Sequence, residues 1–245
     1  MTTGWHDLVE RLAGARRDPS VVVVEGAHAI KHALRFGATL DQVVVREGTP
    51  PDQLPLELVE QAVPLTAVPA EVFARIVDPV PPVPVVAVAQ RPSLDVSALL
   101  AGDHATPLVV LERPTHPGNL GAVVRVAAAA GVAGVLAIGG GDPWHPRAVR
   151  GAAGLQFALP VARLDQLPDG DRPIVGFDPA GLLLGSMAPP PRALLTFGSE
   201  RAGLSAAMRA RADVLVRIPM RRGVSSLNLA TAVAIAVYAW PTEPA

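Results

Sequence analysis

In RIPMRRGVSSLNLATAVAIAVY, residues 217–238, the text changes character twice. IPM completes an apolar strand begun by DVLV, RRGVSS is polar with one glycine, and LNLATAVAIAVY has the length of a helix and an alanine-rich face suited to tight packing on another helix. Strand, polar loop and helix in that order make one step of an α/β chain, and the step recurs upstream. LVVLE at 108–112 leads into HPGNLGAVVRVAAAAG at 116–131, which reads as a helix over 118–130. GVLAIGG then precedes a helix over 146–153, PIVGFD follows, and ALLTFG runs through the turn GSERAG into a helix that begins near Leu204. Strands alternating with helices predict a largely parallel sheet covered on both faces.

The first part of the chain has its own pattern. From Ser20, VVVVEG, AHAIKHALRFG and LDQVVVRE read as strand, amphipathic helix and strand, a βαβ unit. Short helices over 54–61 and 70–77 surround the strand-like PLTAV, and VPVVAVAQ from Val83 closes a compact α/β domain. RPSLDVSALLAGDHATP then reads as a linker. The expected division is a small α/β domain over 1–98, a linker over 99–106 and a larger α/β domain over 107–245.

Composition narrows the chemistry. The 245 residues, half of them hydrophobic, suffice for two buried cores. Cysteine is absent, which excludes disulfides, thiolate metal sites and any cysteine nucleophile. No apolar run has the length of a membrane span, and MTTGWHDLVERL carries acids where a signal peptide has an apolar core, so the reading is cytoplasmic with no membrane partner. The histidines lack a ligand spacing such as HExxH; His28 and His32 read as one helix face, and no metal is expected. The formal net charge of −1 hides an asymmetry: residues 1–104 hold 8 Lys plus Arg against 13 Asp plus Glu, and residues 105–245 hold 13 against 9. The asymmetry favours contact with a phosphate-bearing polyanion through the second part, where the basic residues are all arginine, whose donor fork suits phosphate.

Three clusters carry candidate chemistry. In the first, Pro117 suits a helix entry, Gly118 and Gly121 permit close approach, and Asn119 puts an amide near the helix N-terminus. Arg125 is the one charge in a run of valines and alanines, so it is expected to be partly desolvated and to need a partner, either a salt bridge or a substrate. In the second, Gly198 and Gly203 permit backbone conformations closed to other residues, and Glu200 sits near a helix start, where the helix dipole favours an acid. In the third, Ser226 and Asn228 form a Ser-x-Asn pair, with Ser225 or Ser226 as candidate helix caps, and Arg221 and Arg222 flank the loop. Between the first two, GGGDPWHPRAVRGAAG places Arg147 and Arg150 on one helix face. A dinucleotide GxGxxG with its ribose-binding acid, a carboxylate dyad and a Ser-His-Asp set are all missing from this pattern.

In order, spacing and content, the three clusters resemble the motifs of the SpoU (TrmH) family of S-adenosylmethionine-dependent RNA ribose methyltransferases, over roughly the last 130 residues. The resemblance implies a SPOUT domain with a deep trefoil knot, which no residue pattern alone would indicate, preceded by a small substrate-binding domain opened by VVVVEGAHAIKHAL. It implies a catalytic set of Arg125, Asn119, Glu200, Ser226 and Asn228. S-adenosylmethionine would be held by Phe197, Gly198, Gly203, Ile218, Met220, Ser226 and Leu227, and RNA met by Arg147, Arg150, Arg221 and Arg222. The family role of Arg125 is activation of the ribose 2′-hydroxyl. Because a guanidinium hardly ever loses its proton, a phosphate clamp that also stabilises the developing alkoxide suits it better. A homodimer using the alanine-rich helices is implied, acting on ribosomal RNA before transfer RNA. The alternative is a knotted RNA- or ribosome-binding protein without turnover. Departures from the family wording, ERPTH at 112–116 and LAT at 229–231, remove no chemical group.

Overall fold

The computed structural model describes residues 3–61, 63–103 and 105–240. They form two compact units, one of Met1–Ser93 with Trp144–Ala158 and the other of Leu94–Pro143 with Leu159–Ala245. The backbone therefore passes from one unit to the other three times rather than once at the linker.

The first unit contains α1 (Thr3–Ala15), β1 (Val21–Glu25), α2 (Ala27–Arg35), β2 (Leu40–Arg46), α3 (Leu56–Glu60), β3 (Leu65–Val68), α4 (Ala70–Ile76) and β4 (Val85–Gln90). Its sheet has the order β1-β4-β2-β3. β4 inserts antiparallel between β1 and β2, so the two strands of the expected βαβ unit run the same way without touching, while β3 joins β2 in parallel. Alternation along the strands decides the core. Val23, Val44, Val86 and Val88 turn to one face and meet Leu8 and Leu12 of α1 and Val72, Phe73 and Ile76 of α4.

The second unit contains α5 (Val96–Ala101), β5 (Leu108–Glu112), α6 (Pro117–Ala130), β6 (Gly134–Ile138), β7 (Val161–Leu164), β8 (Ile174–Leu183), β9 (Leu194–Phe197), α8 (Ala206–Arg211), β10 (Val214–Arg217) and α9 (Leu229–Ala239), with α7 (Pro146–Gly151) lying between β6 and β7 in the sequence. The six strands lie in the order β10-β8-β9-β5-β6-β7, and every pairing is parallel. β7 is an addition to the sequence-based expectation. Four residues reading VARL give too short a signal to separate from a loop. Leu108, Val110, Leu136 and Ile138 pack with Leu167, Leu204 and Met208 on one face. α6 packs against α9, and the two helices bury Leu120, Val123, Val124, Val233 and Val237. No helix among the described residues is long and apolar enough to cross a membrane.

Residues 144–158 bring α7 to β1 of the first unit. Glu25, buried at the end of β1, is paired with Arg16 at 2.7 Å and with Arg150, a pairing that a buried carboxylate needs. His32 Nδ1 lies 2.8 Å from the carbonyl of Ala153, and the His28 and His32 rings meet edge to face with centroids 4.5 Å apart, as neighbours on one helix face. This placement also changes the charge reading. Assigning Arg147 and Arg150 to the first unit raises its basic count from 8 to 10, and assigning Asp95 and Asp103 to the second lowers the first unit's acids from 13 to 11. The second unit then holds 11 of each sign, so the asymmetry seen along the chain is not one between the folded units.

Candidate active site

At the carboxyl ends of β9 and β10 and against the middle of β8 lies a cavity of about 350 Å³, large enough for a nucleoside-sized ligand. Open parallel sheets place ligands at this end of their strands, near the point where successive connections diverge to opposite sides. Here β5 leads outward to β6, while its neighbour β9 leads the other way, through α8 to β10 beyond β8. The cavity wall includes Phe197, Gly198, Gly203, Ile218, Met220, Ser226 and Leu227, together with Phe177, Asp178, Glu200, Arg209 and Ser225. Every residue expected from the sequence to hold the cofactor is therefore in one wall.

The turn after β9 is shaped by its glycines. Ser199 and Gly203 exchange backbone hydrogen bonds of 3.2 and 2.9 Å, and Gly203 has a φ of +65°. A Cβ on Gly198 would lie 1.8 Å from the carbonyl carbon of Gly203, so only glycine fits where the turn folds back on the strand. Phe177 and Phe197 stack with centroids 4.4 Å apart and planes 8° from parallel, giving the cavity an apolar wall.

A hydrogen-bonded chain joins the three sequence clusters. Glu200 Oε1 accepts from Asn119 Nδ2 at 2.9 Å. Glu200 Oε2 accepts from the Thr115 hydroxyl at 3.0 Å and its backbone amide at 3.3 Å. Asn119 Oδ1 in turn accepts from Asn228 Nδ2 at 3.0 Å. Asn228 Oδ1 accepts from the amides of Ala230 and Thr231, which makes Asn228, rather than Ser225 or Ser226, the cap of α9. Ser226 lines the cavity instead. Burial opposes the charge of Glu200, but hydrogen bonds from Asn119, its own backbone and Thr115 outweigh it and hold the carboxyl below the ordinary glutamate range. At the end of β5, Glu112 is buried and accepts from the amide of Ser205 at 2.8 Å, fixing the start of α8.

Arg125 corrects an expectation. It is exposed and has no ion-pair partner among the described residues, and the cavity wall does not include it. The alanines of α6 make the helix apolar on all sides, but only the side facing the sheet and α9 is covered; Gly118, Ala122, Arg125 and Ala129 share the opposite face. The remaining arginines divide by what they touch. Arg172 donates to the carbonyls of Leu99, Leu100, Gly102 and Arg192, and Arg192, Arg209 and Arg211 pair with Asp171, Asp178 and Asp169. Arg201, Arg217, Arg221 and Arg222 are exposed without such partners among the described residues. The two arginines of α7 part company in the same way: Arg147 is exposed, whereas Arg150 is engaged by Glu25.

The sequence clusters did not include Thr115, Phe177, Asp178 or Arg209. Asp178 left a usable signal, being a carboxylate directly after the apolar run PIVGF, where the sequence pattern marks a strand end, although β8 continues to Leu183. Thr115 left none, because its pairing with Glu200 spans 85 positions.

The SpoU rRNA Methylase family model matches residues 106–238. The chain belongs to that family. An uncharacterized tRNA/rRNA methyltransferase of Synechocystis is 32% identical, with 97% of this chain and 92% of that one covered. The 23S rRNA (guanosine(2553)-2′-O)-methyltransferase RlmP of Bacillus subtilis is 28% identical, with 91% and 89% covered. Among solved structures, the SpoU methyltransferase AviRb of Streptomyces viridochromogenes, crystallised in complex with the cofactor AdoMet, superposes with a TM-score of 0.80 at 26% identity, covering 95% of this chain and 96% of that one. The α/β fold with its parallel six-stranded sheet is thus a SPOUT methyltransferase fold.

Proposed function

We propose that this SpoU protein is an S-adenosylmethionine-dependent RNA 2′-O-methyltransferase acting on ribosomal RNA. The observation that carries the reading is the cavity at the strand ends, whose wall gathers Phe197, Gly198, Gly203, Ile218, Met220, Ser226 and Leu227 from segments separated in sequence. These residues fit the cofactor. The volume is adequate and the stacked Phe177 and Phe197 offer apolar contact. A relative that shares the whole fold was crystallised with AdoMet, and the Bacillus subtilis relative modifies a 2′-oxygen of 23S rRNA by its name. The loop over 218–228 is, on this reading, the threaded segment of a trefoil knot.

When bound, S-adenosylmethionine supplies an electrophilic methyl group on a sulfonium. The protein has to align an acceptor oxygen and stabilise charge that develops on it, which requires positioned donors rather than an acid-base pair. Asn119, Glu200 and Asn228 fix the N-termini of α6 and α9 to the turn after β9. Arg125 holds the RNA phosphate beside the reacting sugar and stabilises the negative charge that develops on the 2′-oxygen as its proton passes to water. Arg221 and Arg222 meet neighbouring phosphates, with Arg147 a further candidate, while Arg150 must leave Glu25 to do so. The outer face of α6 and the exposed Thr231, Ile235 and Tyr238 of α9 suit a homodimer interface, and Arg125 lies on that face.

Calorimetric titration with S-adenosylmethionine, followed by transfer of labelled methyl groups to ribosomal and transfer RNA, tests this directly. Binding with ribose-2′-O labelling of ribosomal RNA is expected. Absence of cofactor binding leaves the non-catalytic RNA-binding reading, and preferential labelling of transfer RNA moves the substrate. Light scattering on the purified protein tests the dimer.

A further inference from the structure

β8 does not pair evenly with β10. Consecutive β10 residues Leu215 and Val216 face Gly176 and Leu182, so residues 177–181 bow out of that pairing. Two features fix the bow. Asp178 Oδ1 accepts from the amide of Ala180 at 2.9 Å, closing a turn of the kind that Asp favours. Gly181 then returns so close to β10 that a Cβ would lie 2.4 Å from the carbonyl carbon of Leu215. The result places Phe177, Asp178 and Pro179 in the cavity wall.

The second oxygen of Asp178 is anomalous. The side chain is 5% exposed, yet its Oδ2 is buried without a hydrogen-bond partner. Arg209 Nε lies 2.8 Å away and neutralises the charge, but off the line of a hydrogen bond. Arg209 is itself 47% exposed and lines the same cavity, so it has room to move aside when a ligand donor takes its place at the carboxylate. A buried carboxylate oxygen left without a hydrogen bond is destabilising unless some other state of the protein satisfies it.

We propose that Asp178 is a cofactor-positioning residue whose Oδ2 accepts an N–H or O–H hydrogen of bound S-adenosylmethionine, with Arg209 displaced from above it. The assignment rests on the cofactor reading of this cavity. Two parts of the cofactor carry suitable donors, the ribose hydroxyls and the methionine ammonium.

Affinities of S-adenosylhomocysteine and 5′-methylthioadenosine, measured by calorimetry on the full chain, decide it. Asp178→Asn keeps the shape and the bond to Ala180 but replaces the acceptor. It is expected to weaken S-adenosylhomocysteine roughly tenfold, the scale of one charge-assisted hydrogen bond. Arg209→Gln uncovers the acceptor and is expected to tighten binding, the opposite sign to a purely structural ion pair. An equal loss of 5′-methylthioadenosine affinity in Asp178→Asn assigns the donor to the ribose; a loss confined to S-adenosylhomocysteine assigns it to the ammonium. Unchanged affinity in Asp178→Asn, or an equal loss in both variants, overturns the proposal. If Asp178→Asn fails to fold by circular dichroism, Asp178→Ser takes its place. A wild-type protein that binds neither ligand overturns the cofactor reading of the cavity itself.

Discussion

The cavity wall built from β8, β9 and the 218–228 loop differs from the outer face of α6 in how much of its chemistry one chain completes. Around Glu200 of the wall, acceptors meet donors: Glu200 satisfies Asn119 and Thr115, Asn119 satisfies Asn228, and Asn228 caps α9, whereas Asp178 Oδ2 is left for a ligand. On the outer face of α6, Arg125 stands exposed among small residues without an ion-pair partner among the described residues. Preorganised polar groups suit a ligand that must be bound identically at every turnover, whereas an unpaired guanidinium suits one that arrives with its own negative charge. On the proposed function, the wall holds the methyl donor and Arg125 awaits the phosphate of the RNA whose sugar is brought to that donor.

The strongest way to break that division is Arg125→Ala. Methyl transfer is expected to fall by roughly 10²–10³-fold, as when one transition-state donor is lost, while S-adenosylmethionine affinity stays within about a factor of two. A matching loss of cofactor affinity would show that the two regions are one site. Asn228→Asp comes next. It keeps an oxygen to cap α9, so thermal stability should hold, but loses the donor to Asn119, and activity is expected to fall about tenfold. Full activity would mean that the link across the three clusters is incidental.

Smaller effects sharpen the RNA side. Arg221→Ala with Arg222→Ala should reduce RNA affinity a few-fold and flatten its dependence on salt by about 0.7 per lost phosphate contact to a single strand. An unaltered slope, from filter binding at several salt concentrations, removes both residues from the interface. The smallest expected effect belongs to Glu200→Gln. The folded carboxyl titrates below its ordinary value, so its stabilisation is complete above about pH 4.3 and is lost as the pH falls through the lower folded value. Melting temperatures of wild type and variant should therefore differ most near neutral pH and converge below pH 4. A gap independent of pH would separate that stability from the charge.

Much of this arrangement is legible in the text because glycine, proline and asparagine carry local instructions. Pro117 starts α6, Gly198 and Gly203 shape the turn, and the Ser-x-Asn pair marks the start of α9. What escapes is nonlocal. An alanine-rich helix does not announce which of its faces is covered, so Arg125 reads as desolvated until its neighbours are seen. The bow at 177–181 arises from a register shift between two strands, which PIVGFD alone does not encode. The charge asymmetry dissolves because residues 144–158, with Arg147 and Arg150, belong to the first unit although they follow β6 of the second in the sequence, and because Asp95 and Asp103 belong to the second.

That last placement bears on how such proteins can be recombined. Swapping the N-terminal module between relatives at a single breakpoint near residue 93 would separate it from the stretch containing Trp144, Ala148, Val149 and Ala152, all buried. A chimera made that way inherits a foreign α7 on its sheet and no native carboxylate for Arg150. Workable exchange must carry both fragments together, so the module behaves as an heirloom in two pieces.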